Sequence, residues 1–184
     1  SMYEIVKYAD MNIKGTAIML DLLTNKQHKV KKIIIAASRA IYGEGRYKCS
    51  IHGEVYPSER KDYDMSRGDF ECKCPICNSE LVLLSTPEES KIHPTSIYGI
   101  TKQNQEQMAL LVGKSIGIDV VSFRYQNVYG PGQSLKNPYT GILSIFSTQI
   151  KNGNNINIFE DGLESRDFVY IDDVVNSLVL ALEN

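Results

Sequence analysis

The 184-residue chain lacks tryptophan, a strong net charge and any long apolar run. Its 20 Lys and Arg residues nearly balance its 22 Asp and Glu residues. The resulting net charge of -2 argues against a nucleic-acid-binding protein. No apolar run approaches the ~20 residues that cross a bilayer, and no export signal is recognisable, so no membrane partner is expected. With 42% hydrophobic and 23% charged residues, the composition is that of an ordinary soluble α/β chain, and a cytoplasmic location is the default expectation.

Glycine-rich sequences that bind phosphates are also missing. The chain contains no G-x-x-G-x-x-G turn of the kind that binds a dinucleotide pyrophosphate after a first strand. Gly113-Lys114-Ser115 lacks the earlier glycine that a phosphate-binding P-loop requires. These 184 residues therefore offer no expected pyrophosphate site.

Tyr98 and Lys102 lie four residues apart at the start of a predicted helix, so they share one helical face. A tyrosine that acts as a base at neutral pH needs its pKa lowered from about 10 by about 3 units. The ammonium group of Lys102 supplies part of that stabilisation. The alternative is an aromatic residue on the core beside a solvated amine, which the same spacing fits.

Two short apolar runs, residues 30–37 and 118–123, predict buried strands. Ser38 follows the first strand, and a loop at 124–132 follows the second. In a parallel sheet, ligands bind at the carboxyl ends of the strands. The sequence therefore places Ser38 and this loop among the candidate site residues.

Taken in order, these segments resemble the extended short-chain dehydrogenase/reductase family, and within it the NAD-dependent nucleotide-sugar epimerases and dehydratases. The resemblance covers residues 3–182. It depends on the serine after a strand, the Tyr-x-x-x-Lys helix and three further motifs. Those motifs are N-x-x-G-T at 12–16, R-x-x-N-V-Y-G-P at 124–131 and R-D-F-V-Y-I-D-D-V at 166–174.

The resemblance implies an α/β fold with a partial Rossmann-like, doubly wound parallel sheet. Residues 1–45 and 91–135 would form the second half of the Rossmann-like domain, 46–90 a small zinc-ribbon-like insertion, and 136–184 part of a substrate-binding region. Because the family's dinucleotide-binding turn is missing, we expect the chain to be a piece of a longer enzyme and inactive by itself. Residues 3–23 and 98–112 resemble the helices of the family's four-helix dimer interface, which implies a homodimer.

The resemblance also implies roles for six residues. Ser38, Tyr98 and Lys102 would be catalytic, and Tyr98 would take the proton of the sugar 4-hydroxyl as hydride leaves C4 for NAD. Tyr98, Lys102 and Tyr125 would contact NAD. Ser38, Asn127 and Arg166 would contact the nucleotide-diphosphate sugar.

Alternatives remain for two residues and for the reaction. Asn127 also fits a plain turn residue, and Arg166 also fits a surface ion pair with Asp167 or Asp172. Arg39 and Ala40 occupy the positions where dehydratases of this family carry an Asp-Glu pair. This difference favours a 4-epimerase of, for example, UDP-glucose or dTDP-L-rhamnose, or a 4-keto reductase, over a 4,6-dehydratase. A non-catalytic dimerising or sugar-binding module is the remaining alternative.

All four cysteines lie between Gly45 and Ser90. Two short C-x-x-C/H turns, 49–52 and 74–77, are each followed by a residue that tolerates a left-handed backbone; we refer to them as knuckles. Their spacing predicts a closed, structural zinc site with three sulfur ligands and one nitrogen ligand. The predicted ligands are Cys49, His52, Cys74 and Cys77. In one alternative Cys72 replaces His52, and in another the cysteines form disulfides or stay unpaired.

Overall fold

The computed structural model describes residues 3–135 and 141–184. Residues 1–2 and 136–140, which belong to the first and last of the predicted segments, lie outside the described residues. The chain divides into two compact units, Ser1–Arg124 and Tyr125–Asn184. Both units contain helices and short strands, which confirms the predicted mixed α/β class.

The first unit begins with a helical segment that runs through residues 5–25. The apolar pattern of residues 3–23 predicts one helix, but the structure winds its middle six residues as a π-helix. A π turn shifts the register of the side chains that follow it. The three parts are α1 (Ile5–Tyr8), the π-helix (Ala9–Lys14) and α2 (Gly15–Asn25).

A pair of neighbouring strands and a long helix form the core of the first unit. The strands are β1 (Lys32–Ser38) and β5 (Asp119–Tyr125), and the helix α4 (Ile97–Ile116) lies between them in the chain. All three elements appear where the apolar patterns predict them. Their inward-facing apolar side chains, with one from α2, make the main core: Leu20, Ile33, Ile35, Ala37, Ala109 and Ile118.

A short 3-10 helix (Arg39–Tyr42) follows β1 directly. The insertion, residues 46–90, then forms a three-stranded antiparallel sheet in the order β3-β2-β4. Tyr47 on the central strand lies opposite Val55 on one side and Leu83 on the other. The elements of the insertion are β2 (Tyr47–Cys49), β3 (Gly53–Val55), α3 (Asp62–Met65) and β4 (Val82–Leu83).

The second unit contains two parallel strands, in which Asn127 pairs with Phe168 and Tyr129 with Tyr170. The motif at 124–131, expected as a loop, therefore contains a short strand. The elements of the second unit are β6 (Asn127–Tyr129), α5 (Ile142–Lys151), β7 (Phe168–Tyr170) and α6 (Ile171–Glu183). Among the described residues, no helix combines the length and the apolarity that a membrane crossing demands.

Candidate functional site

Tyr98 and Lys102 both lie in the first two turns of α4. Ser96 caps this helix, because its hydroxyl oxygen accepts a hydrogen bond of 3.0 Å from the Gly99 N–H. The Lys102 Nζ donates to the backbone oxygen of Ala36 on β1 at 2.8 Å. The side chain of Lys102 therefore joins the helix to the strand that ends at Ser38.

Ser38 is the last residue of β1, and its Oγ accepts a hydrogen bond from the Ala40 N–H at 3.2 Å. The first turn of α4 lies directly against this segment, because a Cβ at Gly99 would stand 2.6 Å from the Ala40 oxygen. Lys102 bonds to Ala36, two residues before Ser38. Gly99, which follows Tyr98 in the chain, lies against Ala40, two residues after Ser38. The structure thus brings Ser38 and Lys102 to one contact between β1, the 3-10 helix and α4. The ring of Tyr98 packs edge-on against that of Tyr8, with the ring centroids 6.0 Å apart.

Several residues that sequence reasoning missed hold α4 in place. Gln105 accepts from Lys102 Nζ at 2.9 Å and donates to the Thr16 hydroxyl at 2.8 Å. Asn12, in the π-helix, donates to the Thr101 hydroxyl at 2.9 Å. Asn12 and Thr16 belong to the N-x-x-G-T motif, so the polar residues of that motif connect the first helical segment to α4.

A buried ion pair lies one turn beyond Lys102. Glu106 is only 3% exposed, and its Oε1 lies 2.6 Å from Nη2 of Arg124. Arg124 also donates to the Tyr42 hydroxyl at 2.6 Å and to the backbone oxygen of Glu88, near the end of the insertion, at 2.8 Å. This network connects α4, β5 and the 3-10 helix. In the sequence, the acidic residue at 106 shares a helical face with Tyr98 and Lys102. That position could have indicated a buried ion pair.

Burial and pairing shift the pKa of two basic groups here. Burial lowers the pKa of the Lys102 ammonium from its usual 10.5. The hydrogen-bonded carboxylate of Glu106 raises the pKa of the Arg124 guanidinium. Arg124 therefore keeps its charge at any pH at which the protein folds, whereas Lys102 loses its proton more readily than a solvated lysine.

The other three predicted site residues belong to the second unit. Tyr125 ends β5 and is half-buried. Asn127, in β6, donates from Nδ2 to the backbone oxygen of Asp167 at 2.9 Å, which places it beside the chain neighbour of Arg166. Arg166 is partly exposed and pairs with Glu164, not with Asp167 or Asp172 as its alternative interpretation expected.

The two knuckles of the insertion face each other. Sγ of Cys49 lies 3.6 Å from Nδ1 of His52 and 3.7 Å from Sγ of Cys77. Sγ of Cys74 lies 3.7 Å from the same His52 nitrogen. The ligand atoms of these four residues all lie within 4.8 Å of one another. Cys72 is not among them, since its Sγ points to Glu44 at 4.0 Å from Oε2.

The cluster also favours the thiolate form of one cysteine. The Ser79 hydroxyl, followed by the backbone N–H groups of His52 and Ile51, lowers the pKa of the Cys49 thiol to about 5. Thiolates, not thiols, are the form in which cysteine binds metals. Three sulfur atoms and one imidazole nitrogen are donor types that suit soft metal ions.

Known proteins resemble the chain over nearly all its length. The sequence model of the NAD dependent epimerase/dehydratase family matches residues 80–184. The dTDP-L-rhamnose 4-epimerase of Burkholderia thailandensis is 36% identical over 182 residues, which cover 99% of this chain and 49% of that protein.

Two solved structures are similar in fold. The UDP-glucose 4-epimerase of Thermotoga maritima, solved with UDP-glucose, gives a TM-score of 0.72 at 30% identity, over 98% of this chain and 47% of that one. The UDP-glucuronic acid 4-epimerase of Bacillus cereus, solved with UDP-glucuronic acid and NAD, gives a TM-score of 0.65 at 25% identity. That match covers 96% of this chain and 43% of the other. The chain spans about half the length of the curated relatives it matches.

Proposed function

Because the chain belongs to the NAD-dependent epimerase/dehydratase family, we propose that the protein is an NAD-dependent nucleotide-sugar 4-epimerase. The membership confirms the family that the ordered motifs predict. The observation that carries the proposal is the position of Lys102, which is hydrogen-bonded to β1 one helical turn after Tyr98. The position of Ser38 at the end of the same strand supports it further.

The residues present fit the nicotinamide end of NAD. The Lys102 ammonium has three N–H donors, and Ala36 and Gln105 accept two of them, so the third is available for a ribose hydroxyl. Tyr125 is proposed as an aromatic contact of the nicotinamide. NAD, when bound, supplies the acceptor for the hydride of sugar C4 and returns that hydride later in the reaction.

Proton transfer is then the task of this chain's own side chains. Tyr98 removes the proton of the sugar 4-hydroxyl, and the neighbouring Lys102 cation stabilises its phenolate. The Oγ of Ser38 already accepts from the Ala40 N–H, so its own O–H points elsewhere and is proposed to hydrogen-bond the reacting oxygen. Fixing these groups before the substrate binds reduces the entropic cost of the reaction.

The substrate is proposed to be a UDP- or dTDP-linked hexose. Asn127 and Arg166 are proposed contacts of its diphosphate, and Arg166 would exchange Glu164 for phosphate oxygens, which suit a guanidinium fork. In this proposal residues 1–45 and 91–135 belong to the nucleotide-binding domain, and residues 136–184 to the substrate-binding region. A longer protein, matching the length of the relatives, would supply the pyrophosphate site.

A cytoplasmic homodimer completes the proposal. Large apolar side chains of the first helical segment and α4 are exposed, among them Val6 at 74%, Met11 at 71% and Leu111 at 71%. Covering such side chains on a second copy of the chain is favourable, because burial removes apolar surface from water. Nucleotide sugars and reduced thiols are both expected in the cytoplasm.

The test uses the full-length protein with NAD and either UDP-glucose or dTDP-L-rhamnose in deuterated water, followed by proton NMR. We expect inversion at C4 without uptake of deuterium into the sugar.

Tyr98→Phe should slow the reaction by about 10²- to 10⁴-fold, the usual contribution of an acid–base residue. Tyr63→Phe, at a tyrosine that is 66% exposed and lies outside both proposed interface helices, is the matched control and should react at the normal rate. Deuterium at C5 with loss of water would identify a dehydratase instead, and binding without turnover a non-catalytic module.

A further inference from the structure

We propose that Cys49, His52, Cys74 and Cys77 bind one zinc ion in a closed tetrahedral site, and that this ion holds the insertion in its folded form. The proposal is independent of the proposed epimerase activity. It concerns a part of the chain that the proposed catalytic residues do not use.

Three of the six distances between the four ligand atoms are close to those of a tetrahedral zinc site. Zinc–sulfur bonds of about 2.3 Å place two sulfur ligands of a tetrahedral ion about 3.8 Å apart. Cys49 and Cys77 have their sulfur atoms 3.7 Å apart, and the two measured sulfur–nitrogen distances to His52 are 3.6 and 3.7 Å. A disulfide would require about 2.05 Å between the sulfur atoms. The cluster therefore has the dimensions of a metal site and not of a disulfide.

The backbone of both knuckles takes the form that such a site requires. Each knuckle ends in a left-handed residue directly after its second ligand, Gly53 with φ +72° and Asn78 with φ +59°. This conformation turns the chain so that two side chains three positions apart in the sequence point to one centre. In the first knuckle, the Ile51 N–H also donates to the Cys49 sulfur at 3.4 Å.

A further hydroxyl group supports the sulfur ligands from outside. The Ser79 Oγ lies 3.4 Å from the sulfur of Cys49 and 3.1 Å from that of Cys77. Three thiolates, one neutral imidazole and Zn²⁺ carry a total charge of -1, and hydrogen-bond donors around the sulfur atoms stabilise that charge. Ser79 was not expected from the sequence.

The donor set selects the metal and the kind of site. Thiolates and an imidazole suit zinc, whereas magnesium and calcium prefer oxygen ligands. Four protein ligands leave no open position for water or substrate, so the ion is structural. The all-cysteine alternative is not assembled in this structure, because the Cys72 sulfur faces Glu44.

Without an ion, little holds the two knuckles together. One buried apolar cluster of the insertion consists of Cys49, Val55 and Cys74, with Tyr47 and Leu81 packed against it, and Pro57 and Cys72 are buried as well. Two of the three buried members of this cluster, Cys49 and Cys74, are themselves proposed ligands. Such a small core supplies little hydrophobic stabilisation, so the free energy of metal binding becomes the free energy of folding for this segment.

The first experiment measures the metal content of the purified chain by plasma mass spectrometry and then replaces zinc by cobalt. We expect one zinc per chain, and visible cobalt absorption typical of tetrahedral thiolate coordination. Cys77→Ser should lower the zinc affinity by at least tenfold, and Cys72→Ser, the matched control, should leave it unchanged. His52→Cys should still bind zinc, because it provides four sulfur ligands.

The second experiment keeps the proposal testable if the ligand variants fail to fold. The wild-type chain is treated with a chelator and followed by hydrogen–deuterium exchange. Exchange should rise in residues 47–83 and stay slow in α4. Three results would overturn the proposed site. They are a wild-type chain that binds no zinc, a Cys77→Ser variant that binds zinc normally, and a Cys72→Ser variant that loses it. Unchanged exchange after removal of zinc would overturn its structural role.

Discussion

Arg124 donates through two of its nitrogen atoms to the carboxylate of Glu106, with Nη2 at 2.6 Å from Oε1 and Nε at 3.1 Å from Oε2. The pair connects β5 to α4 one turn beyond Lys102. Ser122 adds a hydrogen bond to Oε2 at 2.9 Å, so the buried carboxylate is well satisfied. The position of α4, and with it that of the proposed catalytic residues, depends on this pair.

Replacing Arg124 by methionine should therefore destabilise the fold strongly. The substitution leaves Glu106 buried and without its cation, which costs about 3–5 kcal/mol in comparable buried pairs. Urea unfolding followed by circular dichroism measures the loss. Lys7→Met is the matched control, because its ion pair with Glu4 is exposed and should contribute at most about 1 kcal/mol. A variant of Arg124 that unfolds at the wild-type urea concentration would contradict the role of the pair.

Lys102 should make the stability of the chain depend on pH. Its pKa in the folded chain lies below the usual 10.5, so between the two values the unfolded chain holds the proton and the folded chain does not. Stability rises with pH wherever the unfolded state binds more protons. We expect the free energy of unfolding of the wild type, relative to Lys102→Met, to rise as the pH approaches 10.5 from below.

Lys102→Arg is the control for this pH dependence. A guanidinium group keeps its proton throughout this range, so the difference in stability between Lys102→Arg and Lys102→Met should not change with pH. Urea unfolding of the three proteins at several pH values gives both comparisons. A wild-type curve parallel to that of Lys102→Arg would show that the Lys102 amine is solvated.

Gly99→Ala should push the first turn of α4 away from the 3-10 helix. The added methyl group would lie 2.6 Å from the backbone oxygen of Ala40 and 3.0 Å from Cβ of Pro94. Backbone atoms cannot move aside cheaply, so we expect a loss of about 1–3 kcal/mol in the free energy of unfolding. Thermal unfolding provides the measurement.

Gly15→Ala is the matched control at a helical glycine with room for a side chain. Its nearest neighbour would be the Asp10 oxygen at an ordinary 3.7 Å. Because alanine favours a helix over glycine, this variant should gain up to about 1 kcal/mol. Equal effects at the two positions would rule out the close contact at Gly99.

Three elements of the first unit, β1, α4 and β5, were predictable because each has a local cause. The apolar periodicity and the cap of α4 lie within its own sequence, as do the buried runs of β1 and β5. The knuckles were predictable for the same reason, since ligand spacing and the left-handed residue occur within a few positions. Cys49, His52, Cys74 and Cys77, the four predicted ligands, lie close together in the structure, and their binding of zinc stays a prediction.

The contacts between distant segments could not be predicted in the same way. The hydrogen bond of Gln105 to Thr16 joins residues 89 positions apart, and the pair of Arg124 and Tyr42 joins residues 82 positions apart. Nothing local to any of them specifies its partner. The π-helix at Ala9–Lys14 is equally non-local in origin, because its Asn12 bonds to Thr101 on another helix.

The two ends of the insertion meet at one point. The Leu84 N–H donates to the Arg46 oxygen at 2.9 Å, and the Arg46 guanidinium donates to the Ser85 oxygen at 2.8 Å. Because the chain leaves and returns at the same place, the length of what lies between has little effect on the rest of the fold. This junction is a natural grafting position: a foreign domain could replace residues 47–83 there, and evolution could exchange that module independently of the rest of the chain.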